Sequence, residues 1–350
     1  MEYALSSSIK KLLVVDKPKI ALIEGHGEQT ASTMQQAMGL LSVLYTVESL
    51  KLNDTAEISA QYKTVAIVSP KDSFSASQLA MLDKFLARGG GLYIAMNRVE
   101  GDFSTQTGHA VSTGLEQWLM MKGVDVQDKF VIDANCGQVS VQQQQGMFSF
   151  NTPVRFPYLP LVNSFADHPI TKGLEGIMFP FVSPVMTSFR DTSVKVTVLA
   201  KSSPKSGLVG PNITFEITKQ WTANDFPNSN IPLAIAASGR ISGEMPSKMV
   251  VIGDGDFAVN GERQQGKQLQ PDNVSLMVNA IDWLSDNTGL NELRTKGVTS
   301  RPIDSTLEDG TKTMLKYLNF LLPVLLVLIY GAVRMQMRSR LRARWIEETY

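Results

Sequence analysis

One stretch near the C-terminus limits every architecture open to this chain. Residues 317–333, YLNFLLPVLLVLIYGAV, carry no charged side chain. With Met314, Leu315 and Met335 the apolar run reaches about 20 residues, roughly 30 Å as a helix, enough to cross the hydrocarbon of a bilayer. Pro323 is tolerated in such a helix. A buried core helix is the competing reading. It fits poorly with a run near the chain end that meets Arg334, Arg338, Arg340, Arg342 and Arg344 directly. The sequence therefore predicts a transmembrane helix over 314–335 and a basic cytoplasmic tail over 336–350. A linker is expected over 291–313, and one folded domain over 1–290.

The flanking charges set the expected orientation. Five arginines follow the span, whereas only Lys312 and Lys316 closely precede it. Positive charge stays on the cytoplasmic side, so the domain is expected outside the inner (cytoplasmic) membrane. A wider window adds Arg294, Lys296 and Arg301 and weakens the bias. The opening residues, MEYALSSSIKKLLVVDKPKI, have an acid at position 2 and lack the apolar core of an export signal. Either the domain is cytoplasmic or an upstream membrane segment is missing from this chain, and the second is the expectation.

Strands and helices alternate in the first hundred residues. KIALIE (19–24), YTVESLKL (45–52), KTVAIVSP (63–70) and LYIAMN (92–97) read as strands. Between them, Met34, Ala37, Met38 and Leu41 mark one helical face, and Ser75 with Gln78 forms a capping box for a second helix. This alternation predicts a parallel sheet with helices on both faces. A helix over 111–122 and a strand at DKFVIDA (128–134) follow. From 136 to 230 the pattern turns irregular and β-rich, with the run Gln142 to Gln145 and pieces such as SVKVTVLA and ITFEIT. The α/β pattern returns at PLAIAASG and SKMVVIGDGDFAVN. PDNVSLMVNAIDWLSD (271–286) reads as a helix capped by Asp272. The expected fold is α/β: a parallel-sheet, flavodoxin-like or class I glutamine-amidotransferase-like domain with a β-rich insertion, plus a C-terminal transmembrane helix.

Two glycine loops fall at strand ends, where parallel sheets bind ligands. The first is Gly25, His26, Gly27 and Glu28, the second GDGDF (253–257) with Asp254 and Asp256. The GHGE loop has no third glycine for a dinucleotide fingerprint and no GK[ST] for a P-loop. It reads mainly as a backbone turn, with glycines that resist substitution and a His26 that can be replaced at little cost in stability. The Asp pair offers too few oxygen ligands for a hard cation, so neither a metal nor another cofactor is expected. Gly25, His26, Gly27, Glu28, Asp254 and Asp256 are the candidates for ligand or partner contact, and no catalytic residue is assigned. The single Cys136 lies in DANCGQV with no elbow motif around it and reads as an inert thiol. His109 reads as solvated and His168 as fixing a turn. The 33 basic and 33 acidic residues balance, which gives no field suited to nucleic acid.

In order, KIALIEGHGE, VAIVSPKDSFSASQLAMLDKFLARGGGLYIAMN, HPITKGLEGIMFPF and MVVIGDGDFAVN with NVSLMVNAIDWL, then one membrane helix, resemble the auxiliary proteins of ABC-type transport systems. The resemblance is to the GldG-type members linked to gliding motility and covers about residues 8–335. It implies an extracytoplasmic domain anchored beside an ABC permease and its ATPase, and marks GHGE as a family feature without a known chemistry. The expected function is that of a non-enzymatic, membrane-anchored auxiliary subunit that contacts the permease and binds a small molecule or glycan at the strand-end crevice. Two other classes remain open. One is a hydrolase or amidotransferase-like enzyme using Cys136 or His26. The other is a carbohydrate-binding module, whose sign would be exposed aromatics such as Tyr158 or Trp221 lining the crevice.

Overall fold

The computed structural model describes residues 17–53, 57–145, 148–189, 193–262, 266–286 and 309–347. The chain divides into two units, Met1–Gly297 and Val298–Tyr350. The expected linker falls outside the described residues as far as 308, as does the tail beyond 347.

The first unit is built on an eight-stranded sheet. Its strands in chain order are β1 (Lys19–Glu24), β2 (Thr46–Lys51), β3 (Tyr62–Val68), β4 (Gly91–Ala95), β5 (Ser164–Phe165), β6 (Lys195–Lys201), β7 (Pro232–Gly239) and β8 (Ser247–Ile252). Across the sheet they lie in the order β5-β6-β7-β8-β4-β3-β1-β2. Neighbours from β8 to β2 pair in parallel, whereas β5, β6, β7 and β8 pair antiparallel. The wholly parallel sheet expected from the sequence is thus a mixed one. The added half comes largely from the irregular region, since β5 and β6 both lie within 136–230.

Burial on both faces explains the unbroken apolar runs of the central strands. Alternate residues feed two cores. Ile20, Leu22, Ala66, Val68, Tyr93, Val250 and Ile252 face one, with helix α1 (Gln35–Leu41) and helix α4 (Pro271–Ser285). Ala21, Ile23, Val65, Ile67, Leu92, Ile94 and Val251 face the other, with α2 (Ala76–Ala87) and α3 (Leu115–Met121). A third, aromatic cluster holds Phe130, Phe156, Tyr158, Phe181 and Phe215 under the irregular region. The expected strand near 130 is Phe130–Asp133, but it pairs with Ser206–Val209 in a separate two-stranded sheet.

Helix ends show which local signals governed. Ser75 caps α2, and Gln78 completes the capping box. Asp272 does not cap α4; Gln270 occupies that position and Pro271 opens the helix. The Asp272 carboxylate instead accepts the backbone N–H groups of Glu175 and Gly176, at 2.7 and 3.0 Å.

The second unit is described as one helix, α5 (Asp309–Glu347), of 39 residues with Pro323 inside it. Its segment Thr313–Arg340 has the length and composition of a membrane span.

Candidate functional site

Four loops leave the carboxyl edge of the parallel strands, and the segment after β3 joins them. Ser69 ends that strand with a φ of +52°, a conformation that non-glycine residues adopt only when surrounding contacts impose it. On one side, the carbonyl of His26 accepts the N–H groups of Lys71 and Asp72, each at 2.8 Å. On the other, the Ser69 hydroxyl donates to Asp256 Oδ1 at 3.1 Å. The GHGE and GDGDF loops therefore flank one segment, with β3 and β4 between their parent strands.

The GHGE loop is closed on itself. Gly25 and Gly27 have φ of +127° and +75°. A Cβ on Gly27 would stand 3.0 Å from Lys71 Cβ, whereas one on Gly25 would meet open space. This turn aims His26 inward, where it is 6% exposed. The ring stacks on Phe74 with centroids 4.0 Å apart. The Glu28 carboxylate accepts the His26 backbone N–H at 2.6 Å and lies 3.0 Å from Nδ1. The other ring nitrogen, Nε2, lies 3.0 Å from Gln78 Oε1.

Gln78 has no freedom to invert its amide. Its Oε1 already accepts the Ser75 N–H at 2.8 Å, and its Nε2 donates to the Leu52 carbonyl at 3.1 Å. Nε2 of His26 must therefore donate to Oε1. Nδ1 faces the Glu28 carboxylate at 3.0 Å. Every polar atom of this buried group has a partner, and both imidazole nitrogens are engaged.

The GDGDF loop is tied differently. Gly255 runs so close to Ser69 that an added Cβ would stand 2.7 Å from Ser69 Cα. Asn97, after β4, accepts the Gly255 N–H at 2.7 Å and donates to Asp256 Oδ2 at 2.7 Å. Asp254 is fully buried. Its Oδ1 accepts the Asp256 N–H at 2.7 Å, while its Oδ2 has no hydrogen-bond partner among the described residues. The buried Tyr93 hydroxyl likewise has none. Burial first, and the neighbouring Asp256 charge second, hold the Asp254 carboxyl well above the usual carboxylate range. Asp254 and Asp256 are thus brought together, but as one neutral-leaning acid and one hydrogen-bonded acceptor. Among the described residues no group of three or more His, Cys, Asp or Glu side chains stands ready for a metal.

The other singled-out residues lie elsewhere. Cys136 opens a strand, Cys136–Gln145, opposite Pro160, and is not on a strand-to-helix elbow. Burial pushes its thiol up, partly opposed by Arg155. His109 is exposed on the strand Thr107–Ala110, 3.6 Å from Glu100. His168 closes a turn: its carbonyl accepts from Thr171 and Lys172, and burial lowers its pKa to about 4. Tyr158 is 7% exposed, inside the aromatic cluster with Trp221 packed edge-on at 5.8 Å. These rings fill a core. Sequence reasoning missed Gln78 and Asn97 as members of the site. Gln78 was visible only as a helix cap, and nothing local marks Asn97.

A family model described as "ABC-type uncharacterized transport system" matches residues 17–280. A search of curated proteins finds no significant match. Among solved structures, the mmIFT52 N-terminal domain aligns with a TM-score of 0.50 at 17% identity, covering 77% of this chain and 98% of that one, a likeness of fold alone. A putative ThuA-like protein from Parabacteroides merdae ATCC 43184 aligns with a TM-score of 0.41 at 11% identity over 82% of this chain and 93% of that one. The exo-beta-1,4-mannosidase Op5Man5 from Opitutaceae bacterium strain TAV5 reaches 0.30 at 9%, over 69% and 32%. The last two are too distant to carry an argument.

Proposed function

The chain belongs to the ABC-type uncharacterized transport system family, and we propose that it is a membrane-anchored auxiliary subunit of such a system, held beside a permease and its ATPase. The observation that carries this reading is the combination of a family match over nearly the whole first unit with an apolar helix able to span a membrane. The absence of a GK[ST] phosphate loop from these 350 residues supports an ATPase carried by another subunit. Within the family, the ordered segments favour the GldG-type branch. The order β2-β1-β3-β4-β8 of the parallel strands supports a flavodoxin-like reading of that half.

A non-enzymatic role agrees with the site. His26 is held at both nitrogens, and Cys136 opens a strand rather than a strand-to-helix elbow, with its thiol pushed up by burial. The arginines after the span support placing the domain on the extracytoplasmic side of the inner membrane. Affinity purification of the full chain from its native membranes tests the assignment. Permease and ATPase subunits are expected to co-purify, and recovery of the intact chain without either would overturn it. Accessibility labelling of single cysteines near 310 and 345, with Cys136 replaced, tests the orientation. Outside labelling at 345 would reverse it.

A further inference from the structure

The amino edge of the sheet, opposite the glycine loops, carries a pocket of about 600 Å³. Met120, Met121, Phe189, Val194 and Ile241 supply its apolar lining, with Lys122 and Arg240 beside them. Its volume lies within the range of ordinary binding pockets. Met120 and Met121 are 58% and 77% exposed at the end of α3, and Met245, in the turn between β7 and β8, is 55% exposed. Flexible thioethers of this kind suit a surface that adapts to another apolar one.

The two cations differ. Lys122 is committed, 2.6 Å from Asp83 and over the Trp118 ring. Arg240 makes no hydrogen bond or ion pair among the described residues. A guanidinium with no partner among the described residues, beside an apolar hollow, is complementary to a carboxylate next to apolar side chains. The tether starts at the same edge. Ser285, the last residue of α4, bonds Thr64 near the start of β3, and Lys248 near the start of β8 donates to the carbonyls of Trp283 and Asp286. The last described residues of the first unit, Ser285 and Asp286, therefore lie at this edge.

We propose that this pocket is the docking surface for the membrane-embedded component of the transport system, and that it takes a segment pairing a carboxylate with apolar side chains. The proposal rests on the auxiliary-subunit reading. It differs from the strand-end crevice in placing the partner contact at the opposite edge.

The test uses the full chain in its own membranes. A benzophenone attached at Met121→Cys, in a Cys136→Ser background, is photoactivated and the adduct mapped. Arg240→Glu is purified in parallel, with Leu40→Glu on the exposed face of α1 as control, and melting curves confirm that each is folded. The expected adduct is to the membrane-spanning subunit beside an Asp or Glu. Arg240→Glu is expected to lower recovery of that subunit by about tenfold or more, as loss of a close charge pair does. Reversing the mapped carboxylate to Lys should restore recovery, and Leu40→Glu should leave it unchanged. Undiminished recovery with folded Arg240→Glu would overturn the proposal. So would adducts only to lipid, to a second copy of the chain, or to a small molecule retained in the pocket. If the unsubstituted chain brings down no transport subunit, the auxiliary-subunit reading itself fails, and the docking proposal fails with it.

Discussion

The two glycine loops of the carboxyl edge look alike in sequence and differ in what they leave unsatisfied. GHGE buries a histidine and an acid and provides each with partners. GDGDF buries an acid and, among the described residues, leaves one of its oxygens and a nearby tyrosine hydroxyl without any. An unpaired buried polar group costs about 1–3 kcal/mol, whereas a paired one contributes modestly. The first loop is therefore a closed structural device. The second holds spare hydrogen-bonding capacity inside the fold. Chemistry-bearing residue types do not by themselves tell these cases apart; the partners do.

The sharpest way to break this contrast is to open the closed loop. Glu28→Ala removes the acceptor of the His26 backbone N–H and the partner of its ring Nδ1. A loss of about 3–5 kcal/mol is expected, the usual effect of breaking a buried pair from one side. Chemical denaturation of the purified chain measures it, and a loss under 1 kcal/mol would mean the loop is not closed in solution.

His26→Ala comes next, at about 3 kcal/mol, because it strands the Glu28 carboxylate and empties the space against Phe74. This revises the sequence-based expectation that the substitution is cheap. The double variant should cost less than the sum of the two singles, with a coupling of about 1–3 kcal/mol. Strict additivity would show that the two side chains do not interact.

Gly27→Val is expected to cost about 1–3 kcal/mol through its positive φ and the approach of Lys71. Gly25→Val carries the φ penalty alone and should cost less. Equal melting temperatures for the two would show that the Lys71 contact yields freely.

The smallest effect concerns the open loop. Asp254 keeps its proton to higher pH when folded than when unfolded, where its value is near 3.8. The folded state thus binds more protons between those two values. Stability from this group is complete below the unfolded value and is lost as pH rises through the folded one. Asp254→Asn cannot ionise, so its unfolding free energy should fall less between pH 4 and 8 than that of the parent chain. Parallel slopes would place the Asp254 carboxylate in contact with water.

Legibility followed distance along the chain. The strands from Lys19 to Ala95 and the Ser75 cap could be read because their signals are local: unbroken apolar runs, a 3.6-residue face, a Ser with a Gln three residues on. The antiparallel half could not, since the pairing of β6 with β7 depends on side chains far apart in sequence. Asp272 was misread for the same reason. Its acceptor oxygens fit a cap locally, but two N–H groups nearly a hundred residues away claim them. In the site, the glycines announced a turn. The direction of His26 did not show, because it depends on Phe74 and on Gln78, which lies 52 residues further on.

Gln78 has one further consequence, which concerns time rather than energy. Its amide holds the start of α2, the His26 ring and the Leu52 carbonyl at once. None of these three can open while the other two keep that side chain in place. Segments joined in this way unfold together as one unit in native-state hydrogen exchange. The backbone amides of His26, Asp72 and Gln78 should accordingly exchange with a common opening free energy, and Gln78→Ala should lower all three protection factors together, leaving those of α4 as they were.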